Sequence, residues 1–389
     1  MSIRPCALES EAFQALKDVY DHREKAAAQW RAQGGKVLGK LGFDVPDELV
    51  IAAGMLPVQI YADPDRPLTE TDKYLEHAFE PVVRAQFEKL VDGTSAGQID
   101  YLAISNSTDV VIRVFLYLRE LKRVEPDRPV PPVAFIDWLF TRHRLHQARD
   151  EFVVRQFKEQ LEEWAGREIG DEEIRAAGAL CNENRRALRA MAALRHGGEV
   201  RIGGSEALVI MGAGLFMEKR AHTALVEQVT RDAGRWPVLT GPRVFYTGAE
   251  QEDTALYDKI EAAGLVVAGE DINWGSRGYD RDYDPSLSPI RAVVDRYLLR
   301  EHSAKKSTVG QRVEALDRAV DAAGARGVIF YTNQYDEVAT WDMPRQRASL
   351  EARGIEHVTF GQMRWPVDRN RELEETLAAF AAGMKGGAE

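Results

Sequence analysis

The chain is poor in cysteine. Cys6 and Cys181 are the only two in 389 residues, too few and too distant for a disulfide framework, and they suit a reducing compartment. No run of about 18 apolar residues occurs, so no segment reads as a membrane-spanning helix. The opening residues MSIRPCALESEAF carry neither an apolar core nor a cleavage signature, and the expectation is a cytoplasmic protein. An excess of positive charge is also missing. Fifty-one basic against 62 acidic residues give a net charge of -11, which argues against nucleic acid as a partner. Neither a Rossmann glycine pattern nor a P-loop lysine follows any strand-like segment, and there is no G-x-S-x-G elbow.

What is present is α/β alternation. Val37–Phe43, Leu56–Tyr61, Tyr101–Ile104 and Val133–Ile136 read as short buried strands. Helical patterns separate them at 70–92 and 108–122, and a further helix opens at Pro46. From Pro242 the alternation resumes through RVFYTG, LVVAGED, GVIFYT and HVTF, with helices at 253–263, 289–299, 309–323, 343–353 and 369–383. Such repetition is the signature of βαβ units and a parallel sheet. An N-terminal helix over 8–33 precedes the first half. Residues 143–195 carry two long helical patterns broken near Gly166–Gly170, with Asp171 as N-cap of the second, and 205–232 is helical again. The expected architecture is two flavodoxin-like parallel-sheet domains, at 37–142 and 241–389. A helical segment at 1–36 precedes them and another at 143–240 lies between them.

In open parallel sheets, ligands bind beyond the carboxyl ends of the strands. Three such ends are rich in polar residues: Ser105–Asp109, Gly269–Arg277 and Thr332–Asp336. Ser105, Asn106, Ser107, Asn333, Gln334 and Arg277 are the candidate substrate-binding residues. Glu48, Asp109, Asp271, Tyr335 and Asp336 are candidate acid–base groups. The alternative for each is a cap or turn, which Ser, Asn, Asp and Gly favour. His143 and His146 stand three apart on a charged face that reads as structural. His222, His302 and His357 form no ligand spacing, and no metal is expected on this chain.

The order of motifs resembles the 2-hydroxyacyl-CoA dehydratase and benzoyl-CoA reductase D-component family. PDELVIAAGMLPVQIYA, AISNSTDVVIR, EIGDEEIRAAGALCNENRRALRAM (with Asn184 and Arg185), RVFYTGAEQEDTALYDKIEAAGLVVAGEDINWGSRGYD and ARGVIFYTNQYDE carry the likeness in sequence over nearly the whole chain. The resemblance implies a heteromeric acyl-CoA enzyme. In such enzymes a [4Fe–4S] cluster, held by cysteine thiolates from three loops, passes single electrons to an acyl-CoA thioester. Thiolates match iron–sulfur centres and tune their potential.

Here the pattern departs. Gly42, Phe43 and Asp44 stand before Pro46, where the family places a cysteine. Ser105–Ser107 and Asn333–Tyr335 occupy the other two loops, and neither Cys6 nor Cys181 falls on any of them. The expectation is a cluster-free subunit, paired with a homologous chain that carries the [4Fe–4S] cluster. Two readings stand beside it: a purely structural partner subunit, and a repurposed enzyme doing non-redox acyl-CoA chemistry. A walled pocket at the strand ends favours ligand binding, and a filled one favours scaffolding.

Overall fold

The computed structural model describes residues 3–141, 143–300 and 306–386. Three helices come first: α1 (Pro5–Leu8), α2 (Glu11–Asp21) and α3 (Glu24–Ala32). The first lobe then follows as β1 (Lys36–Leu41), α4 (Asp47–Ala52), β2 (Met55–Gln59), α5 (Thr71–Tyr74), α6 (Pro81–Val91), β3 (Tyr101–Ser105), α7 (Asp109–Val124) and β4 (Val133–Ile136). All its pairings are parallel, in the order β2-β1-β3-β4.

Four helices lead to the second lobe: α8 (Arg144–Ala165), α9 (Asp171–Ala192), α10 (Gly204–Ala213) and α11 (Lys219–Ala233). That lobe contains β5 (Arg243–Gly248), α12 (Ala255–Ala262), β6 (Val266–Asp271), α13 (Pro289–Leu298), α14 (Val309–Ala323), β7 (Gly327–Asn333), α15 (Glu337–Ala352), β8 (Glu356–Met363) and α16 (Leu373–Gly386). Its sheet repeats the first arrangement, β6-β5-β7-β8, again parallel throughout. The structure is therefore an α/β fold of two flavodoxin-like halves, as the alternation implied. In each half the strand order reverses beside the first strand, between β1 and β3 and between β5 and β7, and such switch points open crevices at the strand ends.

The two halves share a core. Val37, Leu41, Leu102 and Ile104 of the first sheet belong to one apolar cluster with Leu208 and Ile210 of α10 and with Val244, Tyr246, Val267 and Ile329 of the second sheet. Every residue of α10 is buried, as expected of a helix apolar on all sides. A second cluster joins Leu38, Ala103 and Ile136 to α8 and, unexpectedly, to Ile290, Val293, Val294 and Tyr297 of α13. Although α13 follows β6 in the chain, it packs on α8 and α9.

Several sequence boundaries are corrected. The 8–33 pattern is two main helices, because Arg23 Nε donates to Tyr20 O (3.0 Å), taking the carbonyl that a continuing helix would need. His22 leaves the helical region there (φ -122°, ψ 64°). Cys6 lies in α1. The 70–92 helix is interrupted at 75–80: Pro81 holds Glu80 extended, and Arg84 Nη1 ties down Leu75 O (3.1 Å) and Glu76 O (2.7 Å). The 205–232 pattern splits after Ala213, and Glu218 caps the second piece through Ala221 N (2.9 Å). The N-cap of α9 is Gly170, and Asp171 is its first residue. Helix α15 begins at Glu337, six residues before Met343, and carries Pro344 inside it.

Candidate functional site

The loop after β1 turns through Gly42 at φ +85°. A side chain there would be strained, and a Cβ would stand 2.5 Å from Ser105 Oγ and 2.6 Å from Ser107 Oγ. Those two hydroxyls, from the end of β3 and the loop after it, are 2.7 Å apart. Ser107 Oγ accepts from Phe43 N and Ser105 Oγ from Asp44 N, both at 3.2 Å. Asn106 is spent in the same way: its amide donates to Asp137 Oδ1 (2.9 Å) and Trp138 O (2.8 Å) and accepts from Trp138 N (3.1 Å). Trp138 Nε1 closes the circuit on Asp44 O at 2.8 Å.

The Asp44 carboxylate is the electrostatic centre. Lys306 Nζ lies 2.5 Å and Arg300 Nη1 3.3 Å from Oδ1. Arg300 continues to Phe43 O (2.7 Å), Arg277 O (2.7 Å) and Asn273 Oδ1 (3.0 Å), so one guanidinium joins the β1 loop to the β6 loop. Burial alone would raise the Asp44 pKa, but the charges of Lys306 and Arg300 hold it below the ordinary carboxylate range. Burial pulls Lys306 down to about 8 against the pull of Asp44.

Behind this loop, Glu48 is fully buried against Arg185, and Tyr297 Oη donates to its Oε2 at 3.1 Å. Asp47 pairs with Lys40 at 2.5 Å and accepts a longer contact from Lys219 at 3.5 Å. Asp271 is paired with Arg277 Nε at 2.6 Å. Asp109 is the exposed first residue of α7, beside the cap Thr108.

Asn333, the last residue of β7, is in the interior, while Tyr335 in the loop after it is 46% exposed at φ +66°. Gln334 N donates to Met363 O (2.9 Å), and Asp336 is the N-cap of α15. Glu80 of the first lobe lies beside Asn333 and Asp336; burial first, then the charge of Asp336, pushes its carboxyl up to about 8. Glu250 and Glu252, from the loop after β5, are likewise raised by burial, Glu252 to about 7.

The structure thus gathers Ser105, Asn106 and Ser107 around Asp44, and sets Arg277 and Asp271 at the far end of the Arg300 bridge. Asn333 and Asp336 meet Glu80 instead. Glu48 lies beneath the first loop, while Asp109 and Tyr335 stand on the surface. Four further residues of these loops are not among those the sequence pointed to. Glu250 and Glu252 follow a strand end like those that were singled out. Arg300 and Lys306 gave no local signal, since tertiary packing brings them to Asp44. His222 is a satisfied core residue, bonded to Asn184 Nδ2 (2.8 Å) and Ile210 O (2.9 Å). His302 lies outside the described residues. Among the described residues no group of three or more His, Cys, Asp or Glu could hold a metal ion.

Residues 43–381 match the family model for the D-component of 2-hydroxyglutaryl-CoA dehydratase. The chain belongs to this family. Among its 2-hydroxyglutaryl-CoA dehydratase D-component relatives, the (R)-phenyllactyl-CoA dehydratase beta subunit of Clostridium sporogenes is 25% identical over 354 residues, 89% of this chain and 91% of that one. The (R)-2-hydroxyglutaryl-CoA dehydratase subunit beta of Acidaminococcus fermentans is 25% identical over 373 residues, 92% of this chain and 94% of that one. A benzoyl-CoA reductase subunit of Thauera aromatica is 22% identical over 381 residues, with the same coverage. Among the described residues no helix is long and apolar enough to cross a membrane.

Proposed function

We propose that this chain is a subunit of a heteromeric acyl-CoA enzyme of the dehydratase and reductase kind, and the half of the pair that holds no cluster of its own. One observation carries the reading: the strand-end loops are closed on each other by Asp44, Ser105, Ser107, Arg300 and Lys306. The donors present do not fit a [4Fe–4S] cluster. Hydroxyls, amides and a carboxylate already claimed by two cations replace the thiolates such a cluster needs. Cys181 offers no substitute, since burial first and the charge of Glu48 second push its thiol up to about 12. The redox chemistry, in this reading, belongs to the partner chain.

The filled loops also support a structural role within the pair over a substrate-lining one. Ser105 and Asn106 are buried and spend their polar groups inside the protein, and Asn333 is buried beside Glu80. The test is expression of the chain alone and together with a cysteine-rich neighbour gene product. Native mass, iron and sulfide content, and turnover of acyl-CoA thioesters are then measured. The expected result is a stable heteromer, burying on the order of 2,000 Å² or more, whose iron and sulfide follow the neighbour. Stoichiometric iron and sulfide on this chain alone, or a lone chain that turns over a CoA ester, would overturn the proposal.

A further inference from the structure

Away from the strand-end loops, a small pocket open at its mouth lies among β2, α3 and α6, with Arg23, Gln59, Tyr61, Lys89, Ser95 and Phe216 in its wall. Two polar side chains there are almost wholly buried and poorly matched. Lys89 is 4% exposed, yet the partner described for its ammonium is the face of Tyr61, with Nζ 3.1 Å from the ring centre. Gln59 is 3% exposed; its Oε1 has no partner, and its amide nitrogen reaches only Ile60 O at 3.5 Å. Arg23 shares the Tyr61 ring, its Cζ 4.8 Å from the centre, and is wedged among Tyr20, Phe216 and Trp274.

Two cations on one ring repel each other, and the acid that pulls most strongly on Lys89 is already engaged, while Glu24 in the wall is exposed to solvent. Glu252 accepts from Ala62 N and Gln86 Nε2, both at 2.7 Å, and Arg66 is paired with Asp92. Burial, with Arg23 and Arg66 adding to it and Glu252 and Asp63 opposing it, lowers Lys89 to about 8. An ammonium has three donors and no acceptor. The pocket therefore presents surplus donors and positive charge on one side and a lone acceptor on the other.

We propose that this pocket binds a small oxyanion that keeps one O–H, of the bicarbonate class, between the Lys89 ammonium and the Arg23 guanidinium, with its hydroxyl donated to Gln59 Oε1. A halide would answer the charge but leave the Gln59 oxygen bare, and the small pocket disfavours a larger anion.

The test is side-chain NMR of lysine-labelled full-length protein titrated with bicarbonate, formate and chloride, the Lys89 signal being identified with K89R. Bicarbonate is expected to move that signal saturably and to raise the Lys89 pKa by about one unit, the size of a tenfold stabilisation of the charged form. Formate should bind more weakly and chloride more weakly still. Q59L should lower bicarbonate affinity about tenfold, to the level of formate, as loss of one buried hydrogen bond implies. K89M should abolish binding. If K89M does not fold, the wild-type and Q59L titrations decide alone. No saturable response to bicarbonate, an equal response to chloride, or unchanged affinity in Q59L would each overturn the assignment.

Discussion

Asp44 shows how much one side chain holds here. Its carboxylate pairs with both Lys306 and Arg300 in the interior, and removing one partner of such a group leaves the others charged and desolvated. Asp44→Asn is expected to cost about 3 kcal/mol in urea unfolding; a change within experimental error would show that water reaches these cations. Glu80 has the opposite sign. Its pKa, raised from 4.5 to about 8 by burial and by Asp336, means that the folded chain holds a proton the unfolded chain releases. Stability from this group is full below pH 4.5 and is lost as pH rises towards 8. Glu80→Gln should flatten that decline, raising stability at pH 8 and changing little near pH 4, as read from unfolding midpoints across the range.

What the sequence disclosed at this scale was uneven, for a physical reason. Ser105, Asn106, Ser107 and Asn333 sit where a strand pattern stops, so local spacing pointed to them. Arg300, Lys306 and Glu80 come to the loops through tertiary packing, and no periodicity in their own segments marks them.

At the scale of elements, α13 is the most informative. It lies between β6 and α14 in the chain but docks on α8, where Tyr297 Oη accepts from Asp47 N (3.0 Å) and donates to Glu48 Oε2 (3.1 Å). Tyr297→Phe leaves both groups short of a partner in the interior, and a loss of about 1–3 kcal/mol is expected in chemical denaturation. Little change would mean that Arg185 alone satisfies Glu48. The strands were legible because short apolar runs bounded by turn residues have few other readings. The helix break at 22–23 was not, because it is imposed by an arginine that draws a carbonyl out of the helical ladder, a contact that local propensity does not encode. At 75–80 Pro81 marks the end of the break in the sequence, but nothing local marks the arginine that holds Leu75 O and Glu76 O.

The whole molecule is two similar halves with one core. Since a single apolar cluster runs from the first sheet through α10 to the second, the isolated chain should unfold in one calorimetric transition, with calorimetric and van't Hoff enthalpies in agreement. Two resolved transitions would show that the halves are independent. The parallel architecture of both halves followed from strand–helix alternation. The fusion of their cores did not, since it depends on which faces α10 and α13 present to each lobe.

The path of α13 has a consequence for dissection of the gene. The polypeptide runs 1–240 and then 241–389, but the apolar face of α8 is covered by residues 290–298 from the second stretch. A fragment ending at residue 240 is left with a bare face, and the remainder carries an amphipathic helix with nothing to cover. Produced apart, each piece should be sticky and poorly ordered; mixed, they should complement one another and restore the fold. A genetic split at the midpoint would thus yield interdependent pieces, and a rearranged gene that joins the present ends and opens elsewhere must keep residues 290–298 within reach of α8.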